Sequence, residues 1–555
     1  MQSNNFKAAN MTESEKNAKA AKRFLILILG MFLASSCVVD VPETVFYSDA
    51  SGSSFSASNR IYIDLTEEKV SEDNSSWSKI TTVSTDFFSG TVKVKFTQDD
   101  AENSTGVIRL DAEGAVENLA VYLTGTQTSG GFKIQTSTEY ETGLYLNGVS
   151  ITSTDYPCID ITKGGAATVF VSGTNILKDG RVYNSDYSTS GSDNKGTLFC
   201  KGSLALCGDG TLTVSQNYKS CIASKGNILL EGGIYTLSST GAAVYDSTEA
   251  DYNSPALINC DGNFNVKGGT VTGTASGNGG KGVKVDGNYI QSAGFIDVKA
   301  TGSNVGSSSS SGNGAGKPGQ SSSSSDSPSA AAKGVRVAGT ITVSGGKLYA
   351  TSKNNEAIES KSTITITGGE VYGYSTGDDA INSASTMTIS GGYVCGYSSA
   401  NDGLDANGNM YIKGGLVYAV CTTTPEVALD ANTEGGYKLY IQGGTVIAIG
   451  PVEGGASLSQ SCYKASNWSS NTTYGLTVGN TTYTFKTPSS TSGYGSGIIV
   501  SGSSTPSLTS GATAGSSTYF DGLVSSGGTK GSSSVSLSSY TSSSSMGGGS
   551  MGPKW

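Results

Sequence analysis

The chain has 555 residues and no histidine, and its 35 basic against 45 acidic side chains give a formal net charge of −10. The absence of histidine excludes Ser–His and Cys–His nucleophile systems and the usual zinc ligands. The acidic balance argues against nucleic acid as a partner, because the chain has no basic excess with which to neutralise phosphates. An acidic chain is, in contrast, suited to binding cations.

The first segment, residues 1–37, is predicted to be a lipoprotein signal peptide. Basic residues up to Arg23 precede an apolar run, Phe24 to Ala34, that is too short to span a bilayer comfortably. Leu33 to Cys37 resembles a bacterial lipobox, although Leu33 lies one place farther from the cysteine than in the strict pattern. We therefore expect Cys37 to be acylated and to anchor the protein at the bacterial outer membrane or cell surface. An ordinary secretory signal is the alternative.

The next segment, residues 38–139, does not repeat. Its alternating stretches, such as Arg60 to Asp64 and Thr91 to Phe96, are typical of strands. We interpret this segment as a β-rich amino-terminal cap.

Residues 140–455 repeat with a period of about 23 and carry a double glycine in each unit. In the most regular stretch the first glycine of the pair is Gly345, Gly368, Gly391 and Gly414. Apolar residues before the pair alternate, as Ile364 and Ile366 do, which is strand periodicity. Twenty-three extended residues cover roughly 75 Å, about one closed circuit of a parallel β-helix. The predicted fold is therefore all-β, a parallel β-helix (solenoid) with coils of about 23 residues.

Three regions leave the repeat. Residues 302–332 are nearly pure Ser, Gly, Asn and Ala and predict a flexible insertion. Residues 456–500 carry alternating segments outside the period and predict a carboxyl-terminal β cap, because a solenoid must cover its exposed end. Residues 501–555 are Ser/Gly-rich, and we expect a largely disordered tail.

Eight cysteines follow Cys37. Cys158 and Cys221 fall in a column of the repeat that otherwise holds small residues, and no CxxC motif is present. We therefore expect these cysteines to fill the core as free thiols and not to form a disulfide framework.

Aligning the repeats on the double glycine reveals acidic and amide columns. The residues concerned are Glu356, Asp378, Asp379, Asp402, Glu359, Asn382, Asp405 and Asp430. Equivalent residues of adjacent coils stack about 4.7–4.9 Å apart, where two carboxylates repel by roughly 3 kcal/mol at an effective dielectric near 20. A hard divalent cation with oxygen ligands removes that repulsion, so we predict bound Ca²⁺. A solvated acidic face is the alternative.

The same columns are basic upstream, at Lys281, Lys284, Lys333 and Arg336. A basic strip that continues into a cation-loaded acidic strip is suited to an anionic sugar. Ion pairing between adjacent coils, for example Arg336 with Glu359, explains the same residues without a ligand.

A third set of columns is aromatic. Tyr349, Tyr372 and Tyr418 share one column, and Tyr374 and Tyr397 share the column two residues on. By alternation these rings point outward, and a row of rings suits the apolar face of a sugar. Simple packing on a sheet surface is the alternative.

Several phrases, in this order and spacing, resemble bacterial secreted carbohydrate-binding proteins related in fold to pectate lyases of polysaccharide lyase family 9. They are Leu144 to Ile151, Gly210 to Tyr218, the Ile-Thr-Gly-Gly-x-Val repeats, and the turns Asp378 to Ser383 and Asn401 to Ala406. The resemblance implies a right-handed helix with bound calcium and affinity for plant-type or acidic polysaccharides, without established lyase activity. The family's acidic turns carry over most clearly at Asp378, Asp379, Asp402 and Asp405. The chain departs from the family's Asp-Gly-Ile turns at Ser220 to Lys225 and Gly241 to Tyr245, so the resemblance does not extend calcium sites to those coils.

The leading hypothesis is calcium-dependent, non-catalytic binding of polysaccharide by a monomeric, surface-anchored lipoprotein. A calcium-dependent pectate-type lyase is the enzymatic alternative, and it would need Lys333 or Arg336 as the base. A structural or adhesive surface solenoid is the third hypothesis.

Overall fold

A computed structural model of the chain describes residues 45–46, 54–55, 57–97, 106–112, 116–136, 140–154, 156–162, 165–180, 194–247, 249–306, 328–489 and 497–542. The predicted signal peptide with Cys37, and residues 307–327 of the predicted insertion, lie outside the described residues. Within them, helix is confined to one 3₁₀ turn, Phe88–Gly90, and no helix has the length and apolarity to span a membrane.

The described chain is all-β, and one of its sheets, called sheet A here, has 14 strands. In chain order they are Thr85–Phe87, Val92–Thr97, Val107–Ala112, Phe132–Thr136, Ile159–Thr162, Gly196–Cys200, Ser220–Ser224, Ala256–Cys260, Lys281–Val285, Lys333–Val337, Ile358–Ser360, Ile381–Ser383, Leu404–Ala406 and Leu429–Ala431. The first three strands pair antiparallel at one edge. Every later neighbour pairs parallel, so the residues of one column lie side by side across the sheet.

The strands that lead into the glycine pairs form a second parallel set, row B. They are Asn59–Asp64, Leu119–Gln127, Thr142–Thr152, Ala167–Ser172, Leu204–Gly208, Ile228–Leu230, Phe264–Val266, Tyr289–Gln291, Ile341–Val343, Ile364–Ile366, Met387–Ile389, Met410–Cys421, Leu439–Ile449 and Ser457–Leu458. The strands that follow the glycines form row C, which is also parallel. They are Thr174–Lys178, Thr211–Gln216, Ile234–Ser239, Thr270–Ala275, Phe295–Ala300, Lys347–Ser352, Glu370–Ser375 and Tyr393–Ser398. The long strands Thr142–Thr152, Met410–Cys421 and Leu439–Ile449 run through both rows.

One apolar core lies between sheet A, row B and row C. Ile358, Ile364 and Val371, one from each, are buried in the same cluster. Full burial of such a side chain contributes roughly 1.5–3 kcal/mol, and the cluster is continuous along the repeats. All eight described cysteines are buried free thiols, as predicted from their columns.

The double glycines allow the backbones of neighbouring repeats to approach closely. Gly392 has φ +76°, and a Cβ there would lie 2.7 Å from the carbonyl carbon of Gly368 in the preceding repeat. Gly148 has a similar φ of +68°, but a Cβ there would meet nothing within 4 Å. The second glycine of the pair is therefore required both by its dihedral angle and by space.

We expect Gly392→Ala to lower the free energy of unfolding by about 2–5 kcal/mol, because it adds a backbone clash to the left-handed strain. The control Gly148→Ala carries only the strain and should cost about 1–2 kcal/mol. Urea denaturation followed by circular dichroism measures both. Equal losses in the two variants would show that the close approach contributes nothing.

The parallel pairing begins before residue 140, where the sequence placed its start. Val107–Ala112 pairs parallel with Phe132–Thr136, and Asn59–Asp64 pairs parallel with Leu119–Gln127. The antiparallel strands Lys69–Ser71 and Ser78–Lys79 extend from the same end. These first strands lack the double glycine, which is why the repeat did not reveal them.

Three pairs of antiparallel strands stand apart from the rows. They are Val45–Phe46 with Ser54–Phe55, Val244–Asp246 with Asp251–Asn253, and Val305–Gly306 with Ser329–Ala330. Beyond row B, Ile498–Ser501 pairs antiparallel with both Leu439–Ile449 and Cys462–Ala465, and Ser538–Tyr540 pairs antiparallel with Cys462–Ala465.

A six-stranded antiparallel sheet, the carboxyl-terminal sheet, follows the repeats. Its strands are Thr473–Val478, Thr481–Lys486, Ser507–Ser510, Ser517–Tyr519, Val524–Ser526 and Ser533–Val535. The expectation of a disordered tail from residue 501 is wrong as far as residue 542, and residues 543–555 lie outside the described part. Leu508, Phe520 and Val524 are buried and pack these Ser-rich strands into an apolar cluster. Because such apolar residues are few, the average composition of the segment does not indicate that it folds.

Candidate functional site

The candidate site lies on sheet A, where one column changes from basic to acidic. Parallel register places six residues side by side in the order Lys284, Arg336, Glu359, Asn382, Asp405 and Asp430. We call Lys281, Lys284, Lys333 and Arg336 the basic cluster, and Asp379, Asp402, Asp405 and Asp430 the acidic cluster. From Arg336 to Asp405 the partners are 23 residues apart, so the sequence period predicts that the two clusters lie on one column.

The acidic cluster brings three carboxylates to one point. Asp402, Asp405 and Asp430 each offer an oxygen, and these atoms lie within 4.8 Å of one another. Asp402 and Asp405 are only 8% exposed, and Asp430 is half-buried. In the described part of the chain, no ion pair reaches any of the three.

Hydrogen bonds fix the orientation of these carboxylates. The Asn382 amide donates to Asp379 Oδ2 at 2.8 Å and to Asp405 Oδ2 at 2.7 Å, and so joins two repeats. The backbone N–H of Val427 donates to Asp402 Oδ1 at 2.6 Å. Asp378 lies beside the cluster, and its carboxylate accepts from the Asn401 amide at 2.9 Å.

Burial and mutual repulsion both disfavour the ionised forms. Burial raises the pKa of Asp402 to about 7, and it also raises the pKa of Asp405 and of Asp430. The pKa of Asp379 is raised by burial first and then by the neighbouring Asp405 and Asp378. The donors are all carboxylate or amide oxygens, a set that fits a hard cation such as Ca²⁺.

One further acidic residue, Glu453, was missed by the sequence analysis. Burial and a hydrogen bond shared with the Glu453 carboxylate both raise the pKa of Asp430. Leu429 bridges to Val452, so Glu453 is the next position of the acidic column after Asp430. The signal was present, because Glu453 lies one period after Asp430 (453 − 430 = 23).

Glu356 and Glu359 do not join the acidic cluster, which corrects their assignment as metal ligands. Lys333 Nζ lies 2.9 Å from Glu356 Oε1 and 2.7 Å from Glu359 Oε2, and Lys361 also pairs with Glu359. Although burial raises the pKa of Glu359, the ammonium groups of Lys333 and Lys361 bring it below its ordinary value. Lys333 and Lys361 thus supply two positive charges to this pair of carboxylates, and burial raises the pKa of Glu356 to about 7.

The basic cluster is partly ion-paired between repeats. Arg336 Nη1 lies 3.1 Å from Asp286 Oδ1, and Lys284 Nζ lies 3.7 Å from Asp286 Oδ2. Inter-repeat ion pairing is therefore confirmed, although Arg336 pairs with Asp286 and not with Glu359. Lys281 differs: it is buried, it donates to the carbonyl oxygen of Gly279 at 3.3 Å, and burial followed by the nearby cations lowers its pKa to about 7.

The outward tyrosines do not form the open platform that the sequence predicted. Tyr349 is 5% exposed and Tyr418 is fully buried, and the Tyr418 hydroxyl donates to the carbonyl oxygen of Lys486 at 2.9 Å. The half-buried Tyr372 ring lies 6.0 Å from the ring of Phe520. The carboxyl-terminal sheet packs on this face, so packing, and not sugar stacking, accounts for the column.

Tyr374 and Tyr397 remain half-buried and contact each other edge to face, with ring centroids 5.4 Å apart. Tyr397 also packs against the cluster formed with the carboxyl-terminal sheet. This pair is not stacked into a flat surface.

Residues 104–380 match the family model described as carbohydrate-binding domain-containing protein. Over these residues, just under half of its length, the chain is similar to this family. The match spans sheet A from Val107–Ala112 to the turn at Asp379, and the carboxylates of Asp402, Asp405 and Asp430 follow it. Similarity to the carbohydrate-binding domain-containing family supports glycan binding as the general function.

A carbohydrate-binding domain-containing protein of Acetivibrio thermocellus is 25% identical to this chain over 150 residues, which are 26% of this chain and 52% of the relative. The chain thus spans about half the length of the curated relative that it matches. A solved structure, described as a polysaccharide lyase-like protein from C. thermocellum in a gadolinium derivative, aligns with a TM-score of 0.29 and 16% identity. The alignment covers 56% of this chain and 89% of that chain.

Proposed function

We propose that this chain binds plant-type or acidic polysaccharide in a calcium-dependent manner, without cleaving it, as a monomeric lipoprotein anchored through Cys37 at the bacterial outer membrane or cell surface. The observation that carries the proposal is the acidic cluster, three of whose carboxylates (Asp402, Asp405 and Asp430) lie within 4.8 Å of one another beside a row of cations. Similarity to the carbohydrate-binding domain-containing family supports the carbohydrate part of the proposal.

The scaffold that we propose is a right-handed parallel β-helix. Sheet A, row B and row C each advance by one strand per repeat, and all three contribute to one core. A helix of this kind presents each column as a straight ladder on its surface. The basic and acidic clusters then form one continuous strip along sheet A.

Calcium would be held by Asp402, Asp405 and Asp430, with Glu453 and Asp379 beside them. Carboxylates at strand spacing repel by roughly 3 kcal/mol per pair, and a divalent cation converts that repulsion into attraction. A bound cation with an open coordination position can also take a carboxylate oxygen from an acidic glycan. Lys284 and Arg336 are partly exposed on the same strip and offer N–H donors to further carboxylates.

Retention on insoluble polygalacturonate tests the proposal. The mature chain should be retained in millimolar Ca²⁺ and released by EGTA, and neutral cellulose serves as the comparison surface. Asp405→Asn should be retained at least tenfold less well in calcium, whereas Asp86→Asn, an exposed carboxylate at the other edge of sheet A, should behave as wild type. Retention that is equal in calcium and EGTA would contradict calcium dependence.

A pectate-type lyase is the second candidate, and one observation favours it. Lys281 carries a buried amine whose pKa is lowered to about 7 by burial and by Lys284, Arg336 and Lys333, as a proton-abstracting base requires. Lys333, the earlier candidate base, is held between Glu356 and Glu359. Release of unsaturated uronides from polygalacturonate in calcium, followed by absorbance and lost in Lys281→Met, separates the lyase from a binding protein.

A further inference from the structure

A cleft of about 510 Å³ lies beside sheet A, away from the acidic cluster. Its walls come from three places: Asn194 and Lys195 before one strand, Tyr218 to Ser220 at the next, and the hairpin of Val244–Asp246 and Asp251–Asn253. Lys284 of the basic cluster also lines it. The repeat that carries the hairpin is longer than its neighbours, so this cleft occurs where the period is broken.

The cationic groups of the cleft differ in how far they are neutralised. Lys195 Nζ lies 2.7 Å from Asp261 Oδ2, and Lys284 Nζ lies 3.7 Å from Asp286 Oδ2. Lys219 has no ion pair among the described residues, and its ammonium lies 5.4 Å from the centre of the Tyr218 ring. Lys219 therefore carries a positive charge that a ligand anion can approach.

Acidic groups line the cleft as well, on the hairpin side. Asp246 accepts a hydrogen bond from the Asn253 amide at 3.1 Å, and Glu249 is exposed. Burial and the nearby Lys195 lower the pKa of Lys219, whereas Asp246 raises it. Desolvation of an ammonium without an ion pair strengthens its interaction with a ligand anion.

The hairpin also exposes apolar and aromatic surface at the cleft. Val244 is 53% exposed, and Tyr245 is 46% exposed with its ring edge to face with Tyr252 at 5.4 Å. A tyrosine ring beside amides and hydroxyls, here Asn259 and Ser220, offers both a face for sugar C–H groups and partners for sugar hydroxyls. The cleft thus combines one apolar face with cations.

We propose that this cleft binds one uronate unit of an acidic polysaccharide, with the sugar carboxylate facing Lys219 and Lys284 and the ring against Tyr245. The inference rests on the proposed function, and it adds a subsite that uses no metal. Four strand spacings separate Lys284 from Asp405 in the column, about 19 Å. One polysaccharide chain lying along sheet A can therefore occupy the cleft and the acidic cluster together.

Isothermal titration calorimetry of the mature chain with trigalacturonate and with its methyl ester tests this subsite, in calcium and in EGTA. The acid should bind at least tenfold more tightly than the ester in both buffers. Lys219→Met and Lys284→Met should each weaken binding of the acid about tenfold, equal to about 1.4 kcal/mol, and leave the ester within twofold. Lys299→Met, an exposed lysine on row C, is the matched control and should not change either affinity.

Two results would overturn the subsite: no binding of trigalacturonate, or wild-type affinity in both Lys219→Met and Lys284→Met. Calcium-dependent retention on polygalacturonate, combined with wild-type affinity of both variants for trigalacturonate, would leave the proposed function standing and reject the cleft. Loss of retention in the wild-type chain, with lysine-dependent binding of trigalacturonate intact, would reject calcium dependence and support the cleft. Unchanged thermal midpoints would show that the variants fold.

Discussion

Removal of calcium with EGTA is expected to lower the thermal unfolding midpoint, and the loss should grow as pH rises from about 4 to 7. Without a cation, burial raises the pKa of Asp402 from 3.8 to about 7. Between these two pH values the folded chain keeps the Asp402 proton, whereas the unfolded chain has released it. The free energy of unfolding is therefore highest at low pH and falls as pH rises through the folded-state pKa of Asp402. A cation held by the cluster keeps the carboxylates ionised and removes this penalty. At free calcium of 100 times Kd it would stabilise the folded state by about 2.7 kcal/mol.

Asp405→Asn is expected to raise the thermal unfolding midpoint in EGTA and to lower it in calcium, relative to the wild type. It removes one buried charge, so the chelated variant should unfold at a higher temperature than the chelated wild type, while calcium should no longer raise its midpoint. Differential scanning calorimetry at pH 5 and pH 8 measures both effects, with Asp86→Asn as the exposed control. A wild-type midpoint indifferent to calcium and to pH would show that the acidic cluster binds no cation and carries no electrostatic strain.

Glu370→Ala is expected to loosen the carboxyl-terminal sheet from the repeats and to cost about 3–5 kcal/mol. The Glu370 side chain is 7% exposed. Its Oε1 accepts from the backbone N–H of Phe520 at 2.6 Å and from the Tyr349 hydroxyl, and its Oε2 lies 2.9 Å from Lys347 Nζ. Truncation leaves two buried donors without an acceptor across the contact between row C and the carboxyl-terminal sheet.

Hydrogen exchange followed by mass spectrometry locates the effect. Peptides covering 507–535 should exchange faster in Glu370→Ala, while those of sheet A keep wild-type protection. Lys347→Met removes only the half-exposed partner of Glu370 and should change exchange far less. Wild-type protection of 507–535 in Glu370→Ala would mean that apolar packing alone holds this sheet.

The register of sheet A from Val335 to Leu404 was predictable from the sequence, because the ladder partners in that part are one period apart. Asn382 and Asp405 differ by 23 in number and pair directly. The period does not predict which side chains form ion pairs. Lys333 contacts both Glu356 and Glu359, and this depends on the conformation of its side chain and not on its position in the repeat. Alternation correctly pointed Tyr418 away from the core, but its burial depends on Lys486 and its neighbours, which follow no period.

The cleft was beyond prediction for a related reason. Ile228 pairs with Phe264, 36 positions later, which is 13 more than the period (264 − 228 = 36; 36 − 23 = 13). Those extra residues form the hairpin that walls the cleft. A repeat period shows where residues are inserted. It does not predict how the inserted residues fold, because their contacts do not recur in other repeats.

Successive repeats of sheet A pair in the same register, so a chain of this kind can gain or lose whole repeats. The strands at Ile358–Ser360, Ile381–Ser383 and Leu404–Ala406 pair in the same way, so excision of 369–391 would join equivalent backbone positions and leave all later pairings unchanged. The separation between Arg336 and Asp405 is therefore set in whole strands. Gain of one repeat between them would lengthen the glycan that spans both clusters by about 4.8 Å. Loss of 369–391 would shorten it by the same amount and would also remove Asp379 and the Asn382 amide that donates to Asp405.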